Sequence, residues 1–172
     1  MRRLVQSLLA AVLLASLAAP VAAGGKPERF PAPFPPLDLP EGVYCSFPVN
    51  LENLVDQTIG RAYPPNKGGV ERLEFTGHVV TRITNTDTGA FVDLNSPAHV
   101  TLWLFPDGSF QVTFSGPIFA FYTAEEAAVS TLDQGLWYVR GTGSELYDPE
   151  GNLVEAVHHG NFVDLCALLT PA

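Results

Sequence analysis

The residues whose types and spacing could do chemistry are few: four histidines, two cysteines and one carboxylate set in an apolar run. His158 and His159 are adjacent in an alternating segment. Successive strand side chains point to opposite faces, so the two cannot chelate one ion together. One must face the interior and the other solvent. The inward one is either a hydrogen-bonded core histidine or a general base tuned by Glu155 or Asp164. His78 and His99 join it only if their strands are neighbours. Asp164 lies between Phe162, Val163, Leu165 and Cys166. Alternation puts it on one face with Phe162 and Cys166, and a buried charge there needs a partner. Arg140 and Arg82 are the candidates, which makes a structural ion pair the expectation and a functional acid the alternative.

Other chemistries are missing. The chain contains no Gly-x-Ser-x-Gly elbow, no His-Glu-x-x-His, no P-loop, no dinucleotide fingerprint and no Asn-x-Ser/Thr acceptor. No cofactor is called for. Asp148, Glu150 and Asn152 form an acidic turn, as do Asp87 and Asp93 around theirs, but neither matches a calcium loop. No metal site is expected, and two lone cysteines fall short of the four ligands of structural zinc. The aromatics Trp103, Phe119, Phe121, Trp137 and Tyr138 are the candidates to line a ligand cavity, against the plainer reading that they fill the core.

These residues need positioning elements, and from Gly42 onward the pattern has period two. Leu73, Phe75, Val79 and Ile83 alternate with Glu74, Thr76, His78 and Arg82. Phe110, Val112 and Phe114 alternate with Gln111 and Thr113. Pro106-Asp107-Gly108 and Pro149-Glu150-Gly151 mark hairpin turns, Asn85 to Gly89 a third, and Gly141-Thr142-Gly143 a reversal or bulge. Strands are expected near 43–49, 51–59, 72–84, 90–95, 98–105, 109–115, 117–122, 135–141, 144–148, 152–159 and 161–168. Thr123-Ala124-Glu125-Glu126 fits a capping box and reads either as a short helix or as a plain acidic surface loop, a candidate lid reaching to Gln134. The expected fold is all-β, a single antiparallel β-barrel made as a meander of hairpins, with a β-sandwich as the alternative.

The N-terminus gives the chain an address. Arg2 and Arg3 precede an apolar run from Leu4 to Ala19, and small residues lead to a cut at Ala23/Gly24. Residues 1–23 read as a signal peptide, and the protein as secreted and extracellular. Cleavage takes two of the nine cations with it, so the formal charge falls from −9 to −11. That balance argues against nucleic acid, and against an anionic ligand generally. No further segment is long enough to span a membrane. Residues 24–41 carry six prolines and read either as a spacer or as an arm whose Phe30, Phe34 and Leu37 pack on the domain, which is placed at 42–172. In an oxidising compartment Cys45 and Cys166, near the two ends of that domain, are expected to form a disulfide joining the first and last strands.

Three segments carry a resemblance: Cys45-Ser46-Phe47-Pro48-Val49, Thr84 to Gly89, and Gly160 to Leu169 with its Asp164-Leu165-Cys166. The chain resembles uncharacterised secreted β-rich proteins of high-GC Gram-positive bacteria, with a Cys-x-Phe-x-Val start and an Asp-Leu-Cys end. The resemblance implies the disulfide and the single domain, and no activity. In architecture alone the chain is similar to allene oxide cyclase-like and calycin barrels, which does not fix function. Two classes follow. One is a secreted non-catalytic binding or surface-interaction module, its partner a small apolar ligand or an extracellular macromolecule. The other is a small barrel enzyme of the cyclase or isomerase type acting on an apolar substrate.

Overall fold

A computed structural model describes residues 26–170. The signal peptide at 1–23 lies outside the described residues. Eleven strands are formed among those described. They are β1 (Glu28–Pro31), β2 (Leu37–Leu39), β3 (Val49–Asp56), β4 (Ile59–Tyr63), β5 (Glu71–Thr76), β6 (Val79–Asn85), β7 (Phe91–Asn95), β8 (His99–Leu104), β9 (Phe110–Tyr122), β10 (Gly135–Tyr147) and β11 (Leu153–Asp164). Two short helices complete the set, α1 (Ala124–Ala127) and α2 (Leu165–Leu169). No helix among the described residues is long and apolar enough to cross a membrane.

All strand pairing is antiparallel, in a seven-stranded sheet ordered β1-β4-β5-β8-β9-β10-β11 and a four-stranded sheet ordered β2-β3-β6-β7. The fold is therefore all-β, and neither sheet closes into a barrel. The chain links the sheets at sharp corners. β3 pairs with β6 while β4 pairs with β5, so these four strands form one long hairpin bent between the sheets. The bend needs Gly77, because a Cβ there would stand 2.6 Å from the Cα of Thr58. One core lies between the small sheet and the far half of the large one, where Val49, Leu51 and Ile83 meet Leu136 and Tyr138. A second, around Phe114, Ala120, Tyr122 and Val139, lies on the opposite face of β9 and β10.

Local chemistry reads out as expected where it is self-contained. The turn at 105–109 closes by Gly108 N–H donating to Phe105 O, and the one at 148–152 by Gly151 N–H donating to Asp148 O, each 3.0 Å. The capping box forms, with Thr123 Oγ1 accepting from Glu126 N–H and the Glu126 carboxylate accepting from Thr123 N–H.

Four expectations are corrected. Gly141-Thr142-Gly143 is no reversal: it runs inside β10, so 109–115 with 117–122, and 135–141 with 144–148, are each one long strand. The reason is a row of glycines. Gly116, Gly141 and Gly160 stand opposite one another across β9, β10 and β11. A Cβ at Gly141 would meet the carbonyl oxygen of His159, and one at Gly160 would stand 2.3 Å from that of Arg140. The strands approach so closely here that the sheet folds over without breaking its ladder. The strand expected at 161–168 ends at Asp164 and gives way to α2. Cys45 precedes β3 in a turn, so the bridge joins a turn to a helix and not two strands. Finally, residues 28–39 are not a spacer. β1 adds to β4 and β2 to β3, Phe30 covers Gly60, and Leu39 is buried.

The Cys45–Cys166 disulfide is present, its Cα atoms 5.4 Å apart. It pins α2 beneath the first core, where Leu165 and Leu169 are buried and Asn85 Nδ2 donates to Leu169 O at 3.2 Å.

Candidate functional site

The folded-over sheet brings distant polar side chains together on its inner face. Tyr122 ends β9, Glu145 and Tyr147 lie late in β10, and His158 lies in β11. Register puts Glu145 opposite Ala156, and His158 opposite Gly143, on that face. The glycine row lets Tyr122 reach back over them. Its hydroxyl donates to Glu145 Oε1 at 2.5 Å and lies 2.9 Å from Nε2 of His158. Tyr147 donates to Glu145 Oε2 at 2.7 Å. Nε2 of His158 is 3.5 Å from Glu145 Oε1. On its other side, Thr131 Oγ1 lies 3.3 Å from Nδ1 and accepts from the His158 backbone N–H at 2.9 Å. A tyrosine hydroxyl has one proton. Given to Glu145, it leaves Tyr122 as acceptor for Nε2–H, and Nδ1 as acceptor for Thr131.

Burial would push the Glu145 carboxyl up, but hydrogen bonds from His158, Tyr122 and Tyr147 outweigh it and hold the group below its ordinary value. Burial and the Glu145 charge push both Tyr122 and Tyr147 far up, so their hydroxyls stay protonated. Nearby, burial and the Glu126 charge lift Tyr44 to about 12. The His158 side chain is fully covered, that of Glu145 is 15 % exposed, and Phe114 packs over Gly143 beside the imidazole. Among the described residues no buried side-chain nitrogen or oxygen lacks a partner. The network is a closed set of hydrogen bonds that ties β9, β10, β11 and the 123–134 segment together. Both imidazole nitrogens are engaged within the network, Nε2 by Tyr122 and Nδ1 by Thr131.

The other candidates separate. His158 is the inward histidine and His159 the exposed one, and the partner of His158 is Glu145, not Glu155 or Asp164. His78 and His99 are exposed and do not join the network. Asp164 makes no ion pair: Arg82 is taken by Asp93 at 2.8 Å, and Arg140 is exposed. Asp164 instead caps α2, accepting from Ala167 N–H at 3.0 Å. Asp164→Asn should thus leave stability nearly unchanged, whereas Asp164→Ala should cost about 1 kcal/mol, since Asn caps as well as Asp. Urea midpoints decide it; a large loss in the Asn variant restores the ion pair. Phe119, Phe121 and Tyr138 sit in the first core and Trp137 beside the second, so the five aromatics line no common cavity. No group of histidine, cysteine or carboxylate side chains among the described residues is arranged to hold a metal ion.

Trp103 alone of those aromatics faces outward from the large sheet, in a row that reads Tyr63, Arg72, Trp103, Gln111 across β4, β5, β8 and β9. The Arg72 guanidinium lies 3.7 Å over the Tyr63 ring and 5.6 Å from that of Trp103. Glu74 in the next row accepts from Tyr63 Oη–H at 2.7 Å and stands 3.5 Å from Arg72 and 3.9 Å from Arg61. The hydrogen bond to Glu74 pushes the Tyr63 hydroxyl up. Arg61 and Arg72 remain about a third exposed. This row escapes sequence reading because its members lie on four separate strands. The same holds for Glu145, whose partners are set by the fold-over at the glycines.

No family model matches the chain, and no curated protein or solved structure matches it either.

Proposed function

We propose that the protein is an exported, non-catalytic binding module whose partner is an extracellular macromolecule, engaged by the outer face of the seven-stranded sheet. The observation that carries the reading is the half-exposed row Tyr63, Arg72 and Trp103, prearranged by stacking and by Glu74. Tyr, Trp and Arg are the side chains in which binding energy concentrates, because they offer large rigid area with a polar end. Held in place beforehand, they lose little freedom on binding. The inner face supports the same reading, since its polar groups are already satisfied by one another. Export rests on the leader expected at residues 1–23, and the disulfide and the lack of a long apolar helix among the described residues are compatible with it. In this reading the two sheets are the halves of a flattened barrel, as the resemblance to calycin-like proteins suggests, and the bent hairpins are its corners.

The test is retention on insoluble cell-envelope material. Wild type is expected to be retained. Trp103→Ala and Tyr63→Ala should each cut retention about tenfold, in line with hot-spot truncation, with unfolding midpoints close to wild type. Equal retention of all three, or none of any, rules the outer row out as the binding surface.

A further inference from the structure

The outer face has a charge pattern that the whole-chain balance hides. Beyond Ala23 the chain holds seven cations, and five of them gather at the β1-β4-β5 end: Lys26, Arg29, Arg61, Lys67 and Arg72. Arg29 and Arg61 are directly opposed across β1 and β4. Like charges so placed repel, and folding alone gives no reason to keep them together. Glu74 is the one carboxylate that bridges this group, and it is shared between Arg61 and Arg72. Set against the three carboxylates of the same strands, Glu28, Glu71 and Glu74, the five cations leave a local surplus of two positive charges on a protein of formal charge −9 with its leader and −11 without it.

From this we infer that the β1-β4-β5 end of the outer face binds an acidic polysaccharide, a chain of sugar rings carrying carboxylates. The inference rests on the binding-module reading and names its ligand class. Guanidinium groups pair with carboxylates by parallel hydrogen bonds. Trp103 adds flat apolar surface beside them, suited to the face of a sugar ring. Thr101 and Thr113 in the adjoining row offer hydroxyls. At the β1 edge a depression of about 400 Å³, lined by Arg29, Phe30, Pro31 and Ile59, gives room for a ring. A nucleic acid carries one charge per ~1.7 Å of duplex, and the chain's overall negative charge opposes so dense a polyanion, whereas a sparsely charged glycan can be met by two surplus cations.

The experiment is native-gel affinity electrophoresis of the exported protein in gels containing carboxymethyl-dextran, unmodified dextran or polyphosphate. The two dextrans share a backbone and differ only in carboxylates. Carboxymethyl-dextran is expected to retard the protein and dextran not. Arg61→Gln should weaken retardation about fivefold, the upper range for one exposed ion pair, and Arg29→Gln with Arg61→Gln further. Trp103→Ala should weaken it too, and Arg140→Gln should leave it unchanged. Urea midpoints verify that each variant is folded. Equal retardation by plain dextran overturns the charge inference but leaves the binding module standing. Stronger retardation by polyphosphate, insensitive to Trp103→Ala, overturns the glycan and leaves a general anion strip. No retardation by any polymer overturns the inference, and the envelope-retention result then decides the module reading separately.

Discussion

Replacing both Cys45 and Cys166 by Ala is expected to lower unfolding stability by about 4–5 kcal/mol. The bridge spans 121 residues, so most of the described chain, all but β1, β2 and the end of α2, lies inside the loop it closes. In the chain-entropy account a crosslink acts on the unfolded ensemble, and the effect grows with the logarithm of loop length. A local effect adds to this. The helix α2 has five residues, far too few to stand unaided, and it is held by the bridge, by the cap at Asp164 and by two buried leucines. Without the bridge α2 should fray first, exposing the first core from below. Urea unfolding of the oxidised wild type and the double variant measures the difference. A loss under about 1 kcal/mol would show that the cap and the leucines suffice.

Glu145→Ala is expected to cost about 3–5 kcal/mol, because the hydroxyls of Tyr122 and Tyr147 each lose a hydrogen bond to a charged group, worth about 1.5–3 kcal/mol apiece. Two tyrosine hydroxyls and the His158 ring would be left in the interior without the carboxylate that joins them. Glu145→Gln keeps an acceptor and should cost less. The pH dependence has a definite sign. The folded Glu145 carboxyl is held below its ordinary value near 4.5. Its contribution is therefore fully present above that value and is lost as pH falls through the lower folded one. Wild-type stability should decline in acid below about pH 4.5, and the decline should be shallower in Glu145→Gln. Parallel acid limbs in the two proteins would mean that Glu145 is not linked to folding.

The two features at the centre of these expectations, the bridge and Glu145, differ in how far the sequence discloses them. The disulfide follows from the count of two cysteines and the leader expected at 1–23, and the turns at Pro106 and Pro149 and the box at Thr123 follow from chemistry confined to four or five residues. Such signals need no knowledge of the rest of the fold. Glu145 is different. Alternation places it on a face with Gly143 and Tyr147, but only the fold-over at Gly116, Gly141 and Gly160 puts Tyr122 above it. Asp164 misleads for a related reason. A carboxylate between apolar residues reads equally as a strand interior or as the start of a short helix. The disulfide and Leu169 select the helix, and these are tertiary terms. Likewise Arg29, Arg61 and Arg72 are scattered along the chain until strand register lines them up.

The glycine row has one more consequence, for the uniqueness of strand alignment. Hydrophobic alternation forbids a slip of one residue, which would turn every side chain to the wrong face, but it tolerates a slip of two. Shifting β11 by two against β10 would bring His158 or Phe162 opposite Gly141. A Cβ in the place of Gly160 would stand 2.3 Å from the carbonyl oxygen of Arg140 and 2.8 Å from the Cα of Gly141, so not even a methyl group fits. Three residues with no side chains thus act as a key, excluding the misalignments that patterning leaves open.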